Sequence, residues 1–394
     1  MKFTLYNNWD EYKSYFVKNF TIDEEYVVCG FGGGFRTLRR LFPDIKIKYI
    51  LDSNPNIICN EYDNYTYKNV PDNSISERKF IITPGCEYLS EIRRAIISKG
   101  AKPENIASIN ELLFFWGKIY LGGKLSSTAC NIILLTACNL KCKGCTQYVP
   151  YVKKSMYLDI GTVKVTIDNY FSIFDFVGNL MPVGGETLLY KELGEVLTYI
   201  NSRYSERYSE MQIFTNGIIT PSEELAEIMS KIKNLRVLIS DYSDAINHNH
   251  SGIIDVLEKY RINYTLNTGF GQSSENRWFD LGDPNIIKSE NDSVTKERFD
   301  KCSLMCNNIV DNKLYYCVPA CFCETGNIRS GKEEYCLELD KLKAMEADEK
   351  YDTIGKFLLG FPPEGYLENC KYCNGFGEDV NTKYLRAGEQ AARM

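Results

Sequence analysis

Short apolar runs alternate with longer amphipathic stretches along most of the first 270 residues. Residues 25–29, 131–135 and 211–214 have strand length and are rich in β-branched, apolar or aromatic side chains. A stretch such as 159–172 places its apolar residues at helical spacing instead. Repeated strand–helix units predict parallel sheets joined by right-handed crossovers. The predicted fold class is therefore α/β.

Residues 1–122 predict a small Rossmann-like domain. The strand at 25–29 runs into the glycine-rich turn 30–34, a helix follows, and a second strand ends at Asp52. This layout, with an acid about twenty residues after the turn, is typical of nucleotide-binding βαβ units. Phe35 stands where the full glycine motif has its last glycine. Nucleotide binding and a degenerate unit that only packs or dimerises both remain open.

Three cysteines follow the strand at 131–135 within eight residues. Cys138, Cys142 and Cys145 have the spacing CxxxCxxC. A loop at the carboxyl end of a strand is where ligands gather in α/β folds, and soft thiolates suit an iron–sulfur cluster. Three thiolates on a four-iron cluster leave one iron free for another ligand. A zinc site is the alternative, although zinc usually takes four ligands and no fourth lies nearby in the sequence.

At these three cysteines the chain resembles the radical S-adenosylmethionine (SAM) family. The resemblance implies that the free iron binds SAM and that an electron from the cluster generates a 5′-deoxyadenosyl radical, which abstracts hydrogen from a substrate. It also implies a partial (β/α)6 TIM-like barrel over residues 123–290, open on one side. Gly144 precedes the third cysteine, where the family often has an aromatic residue near the adenine.

Two later strand ends carry further motifs of the family. Gly184, Gly185 and Glu186 are similar to its GGE motif, which implies that they hold the amino group of SAM. A carboxylate suits this task because it accepts charge-assisted hydrogen bonds. Thr215 and Asn216 belong to a Thr-Asn-Gly turn like the one near the SAM cleft of the family, although an ordinary turn is an equal alternative.

Residues 291–394 form a cysteine-rich unit that resembles the family's Twitch and SPASM extensions. The resemblance implies an auxiliary [4Fe-4S] cluster held by Cys302, Cys317, Cys370 and Cys373. Asn312 replaces the usual hairpin glycine, and asparagine tolerates the left-handed conformation needed there. Cys306 replacing Cys302 and a zinc ribbon remain alternatives.

Several residues are left over. Cys321 and Cys323 are candidate hydrogen donors for an epimerisation, and together with Cys336 they are also candidates for a second auxiliary cluster. We expect His248 and His250 to be solvated loop residues. The segment 381–394 is expected to be a frayed helix.

Composition and charge narrow the class of protein. Hydrophobic residues make up 44% and charged residues 25% of the 394 residues, which is ordinary for a globular protein. The net charge of −6 and the lack of a basic stripe argue against nucleic-acid binding. No apolar run has transmembrane length, no signal peptide is visible, and fifteen cysteines, an odd number, do not indicate a disulfide framework. We expect a cytoplasmic protein with no membrane partner.

Together, these resemblances imply a radical SAM oxidoreductase with two [4Fe-4S] clusters. Its expected substrate is a sugar, an aminocyclitol or a nucleotide-linked sugar, which it dehydrogenates or epimerises in glycan or natural-product biosynthesis. A flavodoxin or ferredoxin is the expected reductant. A peptide-modifying maturase is the first alternative. A non-enzymatic iron–sulfur electron carrier is the second.

Overall fold

The computed structural model describes residues 6, 8–56, 59, 61–67, 69–70, 75–246, 248, 250–267, 277–304, 306–329 and 333–391. The first part of the chain forms a parallel sheet. The sheet has five strands in the order β3-β2-β1-β4-β5, and all of its pairs are parallel. This is the order of doubly wound nucleotide-binding folds, with the topological switch point between β1 and β4. The strands are β1 (Glu25–Cys29), β2 (Lys46–Leu51), β3 (Asn64–Tyr65), β4 (Lys79–Ile82) and β5 (Ile106–Ser108).

The described residues of this front unit include four α-helices. Asn8 caps the first by accepting from the backbone amides of Asp10 and Glu11, and Ser108 caps the last through a capping box with Glu111. The helices are α1 (Trp9–Asn19), α2 (Gly33–Leu41), α3 (Cys86–Ser98) and α4 (Ile109–Tyr120).

The second sheet has eight strands in the order β10-β9-β8-β7-β6-β12-β13-β14. Its first five strands in the chain are parallel neighbours: β6 (Ser126–Ile133), β7 (Phe176–Val183), β8 (Tyr208–Thr215), β9 (Leu235–Ser240) and β10 (Asn263–Asn267). The intervening helices are α5 (Ile160–Ile173), α6 (Leu193–Tyr204), α7 (Glu223–Ser230), α8 (Ser243–Ile246) and α9 (Ser251–Lys259). The prediction of an α/β fold with parallel sheets is confirmed.

Six successive barrel units would place the sixth parallel strand beside the fifth, β10. The structure places it elsewhere. β12 (Asn307–Val310) lies beside β6, at the opposite side of the sheet from β10. After β10 the chain leaves this sheet, and its next described strand pairs elsewhere. The described strands therefore show five successive units, with the sixth parallel strand contributed from the cysteine-rich unit.

A hairpin extends the same sheet beyond β12. β13 (Lys313–Tyr315) returns antiparallel after a two-residue turn, and β14 (Cys336–Glu338) pairs with β13. Asp311 and Asn312 form the turn with φ values of 46° and 62°. Two consecutive left-handed residues are the mark of a type I′ turn, so the prediction for Asn312 is confirmed. The helices of this unit are α10 (Asp292–Lys301), α11 (Val318–Thr325), α12 (Leu339–Ala344) and α13 (Ala347–Leu358).

A two-stranded ribbon joins distant parts of the chain. β11 (Arg277–Phe279) pairs antiparallel with β15 (Tyr384–Arg386). The expectation of a helix over 381–394 is therefore wrong for the described residues up to 391. Cross-strand pairing takes the backbone hydrogen bonds that a helix would have needed, and residues 392–394 lie outside the described part.

One continuous hydrophobic core runs through all three parts of the chain. At Gly355 in α13, an added Cβ would lie 2.4 Å from both Phe114 Cζ and a ring atom of Trp9, which are residues of the front unit. Such close packing leaves room only for glycine.

No helix in the described part of the chain is both long and apolar enough to cross a membrane.

The front unit docks on the amino ends of the core strands. Arg40 in α2 donates to the backbone oxygens of Tyr208 (3.2 Å) and Glu206 (2.9 Å), and its guanidinium lies 4.8 Å from the ring centre of Phe176. β7 and β8 are eight residues long, so their two ends lie roughly 26 Å apart. The front unit therefore lies far from the carboxyl ends of these strands.

Candidate functional site

Three predicted motifs meet at the carboxyl ends of β6, β7 and β8. Because these strands are parallel neighbours, the loops that follow them lie along one edge of the sheet. The cysteine loop follows β6, the Gly-Gly-Glu turn follows β7 and the Thr-Asn-Gly turn follows β8. The fold thus brings together segments that are far apart in the sequence.

The two glycines of the second motif allow this convergence. An added Cβ at Gly185 would lie 2.2 Å from the backbone oxygen of Ala137 and 2.9 Å from Cys138 Cβ. At Gly184 it would lie 2.1 Å from a methyl carbon of Leu135. Real Cβ atoms do not approach so closely. The turn can therefore pack directly against the start of the cysteine loop only if both residues are glycine.

Glu186 joins the second and third motifs. Its carboxylate accepts from the backbone amides of Leu188 (3.0 Å) and Asn216 (2.9 Å), and its own amide donates to Ala137 O (2.9 Å). The residue is only 1% exposed, and burial raises the pKa of its carboxyl although these hydrogen bonds oppose the rise. Glu186 therefore fixes the two turns relative to each other. That it also holds the amino group of SAM stays a prediction.

Asn216 connects the third motif to the cysteine loop. Its side-chain nitrogen donates to Asn139 Oδ1 (2.7 Å) and lies 3.8 Å from Cys138 Sγ. Thr215 supports the turn by accepting from the amide of Gly217 (3.1 Å). All three motifs therefore form one connected polar network.

The three thiols of the loop lie close enough to influence one another. Burial is the main cause that raises the pKa values of Cys138 and Cys142 to about 12, and charge interactions with the other thiols add to it. Burial also raises the pKa of Cys145, against the backbone amides of Gln147, Tyr148 and Val149. Thiols in this environment ionise only when cations replace their protons, as metal binding does.

Two aromatic residues that sequence reasoning missed flank this loop. An added Cβ at Gly144 would lie 3.2 Å from the Trp278 ring, and Trp278 meets Tyr242 edge-on with ring centres 5.3 Å apart. Burial raises the pKa of the Tyr242 phenol, and the charges of all three loop cysteines add to the rise. The aromatic surface missing at position 144 is thus supplied from β11. No local pattern could have revealed it, since Trp278 is remote in sequence.

The four cysteines predicted for the auxiliary site also come together. Burial raises the pKa of Cys317, and the charges of Cys302, Cys370 and Cys373 raise it further. Backbone amides point at the sulfurs: Phe376 N lies 3.4 Å from Cys302 Sγ, and Gly375 N lies 3.3 Å from Cys373 Sγ. Amide donors around thiolates are a general feature of iron–sulfur sites.

The other cysteines of the third unit make different contacts, and of these Cys323 lies near Cys373 of this group. Cys306 receives a hydrogen bond from Asn131 Nδ2 (3.1 Å) on β6. Cys321 is fully buried in an apolar cluster near Cys336. Cys323 donates to Asn369 Oδ1 (3.4 Å) beside Cys373. The assignment of Cys321 and Cys323 as hydrogen donors stays a prediction.

The two histidines differ from the sequence-based expectation. His250 is only 6% exposed, its Nε2 pairs with Asp241 Oδ1 at 3.2 Å, and its ring packs against Gly217. His248 Nε2 lies 3.1 Å from Gly217 O. The expectation of solvated loop residues is therefore wrong for His250, which supports the Thr-Asn-Gly turn from behind.

The donor chemistry of both cysteine groups fits iron–sulfur clusters. Among the described residues, no three His, Cys, Asp or Glu side chains converge tightly enough to hold one metal ion. A four-iron cluster binds its thiolates on different irons, so it takes a wider group. Next to the first group, the buried hydroxyl of Thr187 has no hydrogen-bond partner in the described part of the chain. A polar ligand would provide one.

Several solved structures resemble parts of this chain. One is anSMEcpe with bound AdoMet and a Kp18Cys peptide, which is 17% identical with a TM-score of 0.29 over 36% of this chain and 42% of that chain. Another is SuiB from Streptococcus suis, which is 14% identical with a TM-score of 0.32 over 48% of this chain and 45% of that chain. Each of these two matches spans less than half of this chain and less than half of the neighbour.

A third structure is BtrN in complex with AdoMet and 2-DOIA. It is 17% identical with a TM-score of 0.40, over 66% of this chain and 98% of that chain. These neighbours are radical SAM enzymes, the family that the cysteine motif of this chain resembles. No family model and no curated protein matches the chain.

Proposed function

We propose that this chain is a radical SAM oxidoreductase that acts on a sugar, an aminocyclitol or a nucleotide-linked sugar. The observation that carries the proposal is the polar network that joins the three motifs through Glu186 and Asn216. When bound, the first cluster and SAM supply a radical that takes hydrogen from the substrate, and the second cluster supplies an acceptor for the electron lost on oxidation.

Different residues of the chain would bind the first cluster, orient SAM and pack beside it. Cys138, Cys142 and Cys145 hold the first cluster and leave one iron for SAM. The backbone of the Gly184-Gly185 turn and the side chain of Asn216 orient the polar end of SAM. Trp278 and Tyr242 provide the aromatic surface beside Gly144.

The second cysteine group supports an oxidation. Cys302, Cys317, Cys370 and Cys373 would ligate all four irons of a cluster, which leaves no site for substrate and favours electron transfer. Oxidising a carbinol to a carbonyl after loss of one hydrogen atom releases one further proton and one electron. The proposed dehydrogenation therefore needs an acceptor of this kind.

The fold of the front unit favours a small-molecule substrate over a peptide substrate. Peptide maturases of the family often carry a winged-helix unit in this position, whereas this chain has a five-stranded parallel sheet. Its switch point is closely packed, since an added Cβ at Gly34 would lie 1.9 Å from Thr83 O. Asp52 already accepts from the amides of Phe31 and Asn54, both at 2.9 Å. We therefore propose a structural role for this unit and a substrate that binds at the far end of the core strands.

The test is anaerobic incubation of reconstituted protein with SAM, a reductant and candidate substrates. We expect 5′-deoxyadenosine to form, and to carry deuterium when the reacting carbon of a deuterated sugar or aminocyclitol is the donor. The triple variant Cys138→Ala, Cys142→Ala, Cys145→Ala is the matched control and should form none. Absence of 5′-deoxyadenosine with the unaltered protein would reject the proposal, and turnover of cysteine- or serine-containing peptides alone would favour the maturase alternative.

A further inference from the structure

A segment near the end of the sequence lies across the first cysteine loop. We call residues 384–391 the strap. It begins with β15, whose Leu385 pairs with Trp278 in β11. An added Cβ at Gly144 would lie 3.5 Å from a methyl carbon of Leu385, so the strap and Gly144 are in contact.

The strap then crosses Tyr242. Gly388 has a φ of +74°, and an added Cβ there would lie 2.7 Å from Tyr242 Cβ. A side chain at this position would be excluded both by the left-handed backbone and by the tyrosine. Gly388 thus lets the strap turn towards the cysteines over a residue that itself lies near all three thiols.

Backbone hydrogen bonds then fix the strap to the loop. Lys143 N donates to Glu389 O (2.8 Å), and Ala391 N donates to Lys141 O (2.7 Å), on either side of a bridge between Cys142 and Gln390. Lys143 and Glu389 also form an ion pair at 2.5 Å. The loop that carries the cysteines is therefore paired with a second chain segment like a short strand.

Gln390 is held in one orientation by this pairing. Its side-chain oxygen accepts from Lys141 N (2.8 Å), so its nitrogen faces the other way. That nitrogen donates to Gly388 O (2.7 Å) and to Cys142 Sγ (3.2 Å). Cys145, in contrast, faces amides of its own loop. Cys138 faces the amide of Leu140 and lies 3.8 Å from the side-chain nitrogen of Asn216. Cys142 thus takes a side-chain hydrogen bond from a distant part of the chain.

We propose that Gln390 is a positioning residue for the first cluster, and that its amide raises the reduction potential of that cluster through Cys142. This inference rests on the proposed function, because it presupposes a cluster on the first cysteine group. A hydrogen bond to a ligating sulfur stabilises negative charge, and the reduced cluster carries more of it. Loss of the bond therefore disfavours reduction.

The test compares three single variants in the full-length protein. Gln390→Met keeps the length of the side chain but removes the donor. Gln390→Glu keeps the shape but turns an oxygen towards Cys142 Sγ. Glu389→Gln is the control, since it removes the ion pair with Lys143 and leaves Gln390 in place. The measurement is an EPR-monitored redox titration without SAM, together with iron content and protease sensitivity of the strap.

We expect the potential of the first cluster to become more negative in Gln390→Met and more negative still in Gln390→Glu. Glu389→Gln should keep the unaltered potential even if the strap becomes more sensitive to protease. An unaltered potential in both Gln390 variants, or an equal shift in Glu389→Gln, would overturn the inference. If Gln390→Met does not fold, the near-isosteric Gln390→Glu decides the matter. Unaltered protein that takes up no cluster would reject the proposed function, whereas a cluster insensitive to Gln390 would reject only this inference.

Discussion

The phenol of Tyr148 donates to Leu281 O (3.5 Å) and lies beside the thiol of Cys373, which places one residue between the two cysteine groups. Tyr148 is 2% exposed, and its amide donates to Cys145 O at 2.9 Å. Its φ of 51° is uncommon for a bulky residue and costs about 1 kcal/mol or more. The surrounding contacts hold the residue in this conformation, so the separation of the two groups is fixed by the fold.

Tyr148→Phe removes the hydroxyl that lies beside Cys373, together with its hydrogen bond to Leu281 O. We expect the auxiliary cluster to become harder to reduce, with a loss of about 1 kcal/mol in the free energy of unfolding. Tyr151→Phe is the control, because Tyr151 packs edge-on against Tyr148 at 6.0 Å. Redox titration of both variants is the measurement. Equal reduction potentials of the auxiliary cluster in the two variants would show that the Tyr148 hydroxyl has no electronic effect on it.

Gly185→Ala should disrupt the first site. Its new Cβ would overlap Ala137 O, and overpacking of this kind costs about 1–3 kcal/mol and would displace the cysteine loop. Gly161→Ala, at the exposed start of α5, is the control: its new Cβ would lie 3.1 Å from a side-chain oxygen of the capping residue Asp159, so we expect the free energy of unfolding to change by less than about 1 kcal/mol. Urea unfolding and iron content of the two variants provide the comparison. Normal iron content in Gly185→Ala would contradict the close packing described here.

Arg40→Ala should weaken the attachment of the front unit. The side chain makes two hydrogen bonds to core backbone oxygens, so we expect a loss of about 1–2 kcal/mol. Its neighbour Arg39 pairs instead with Glu61 at 3.6 Å and donates to Pro43 O, both within the front unit, and Arg39→Ala should cost less than Arg40→Ala. Urea denaturation measures both. Similar losses for the two would mean that Arg40 does not hold the units together.

Glu111 should make stability depend on pH. Burial raises the pKa of this carboxyl above its ordinary value of 4.5, against hydrogen bonds from Tyr12 and Ser108. The folded state therefore keeps a proton that the unfolded state has already released. Stability should fall as the pH rises from about 4.5 to the raised pKa, and should stay level above it. Burial raises the pKa values of Glu186 and Glu334 as well, so Glu111→Gln should reduce this slope in chemical denaturation between pH 4 and pH 8 without abolishing it. An unchanged slope would exclude Glu111 as a source.

Local patterns predicted local structure well. The helix α5 and the hairpin turn at Asn312 follow from helical spacing and from the left-handed tolerance of asparagine, both of which depend on adjacent residues. The meeting of the cysteine loop with the Gly-Gly-Glu and Thr-Asn-Gly turns also followed, because the ends of parallel strands share an edge. The pairing of β11 with β15 could not be predicted, since three-residue strands carry almost no alternation and the two strands are separated by more than a quarter of the chain. For the same reason the contributions of Trp278 and Gln390 could not be predicted.

The continuation of the core sheet through β12, β13 and β14 has a consequence for how this chain can be divided. Cutting before α10 would strip β6 of its neighbour and expose a buried strand as a new edge, which invites aggregation. The cysteine-rich part is thus no detachable module. A shortened version that ends near residue 290 should be insoluble, and any exchange of this part between relatives would have to carry the matching surface of β6 with it.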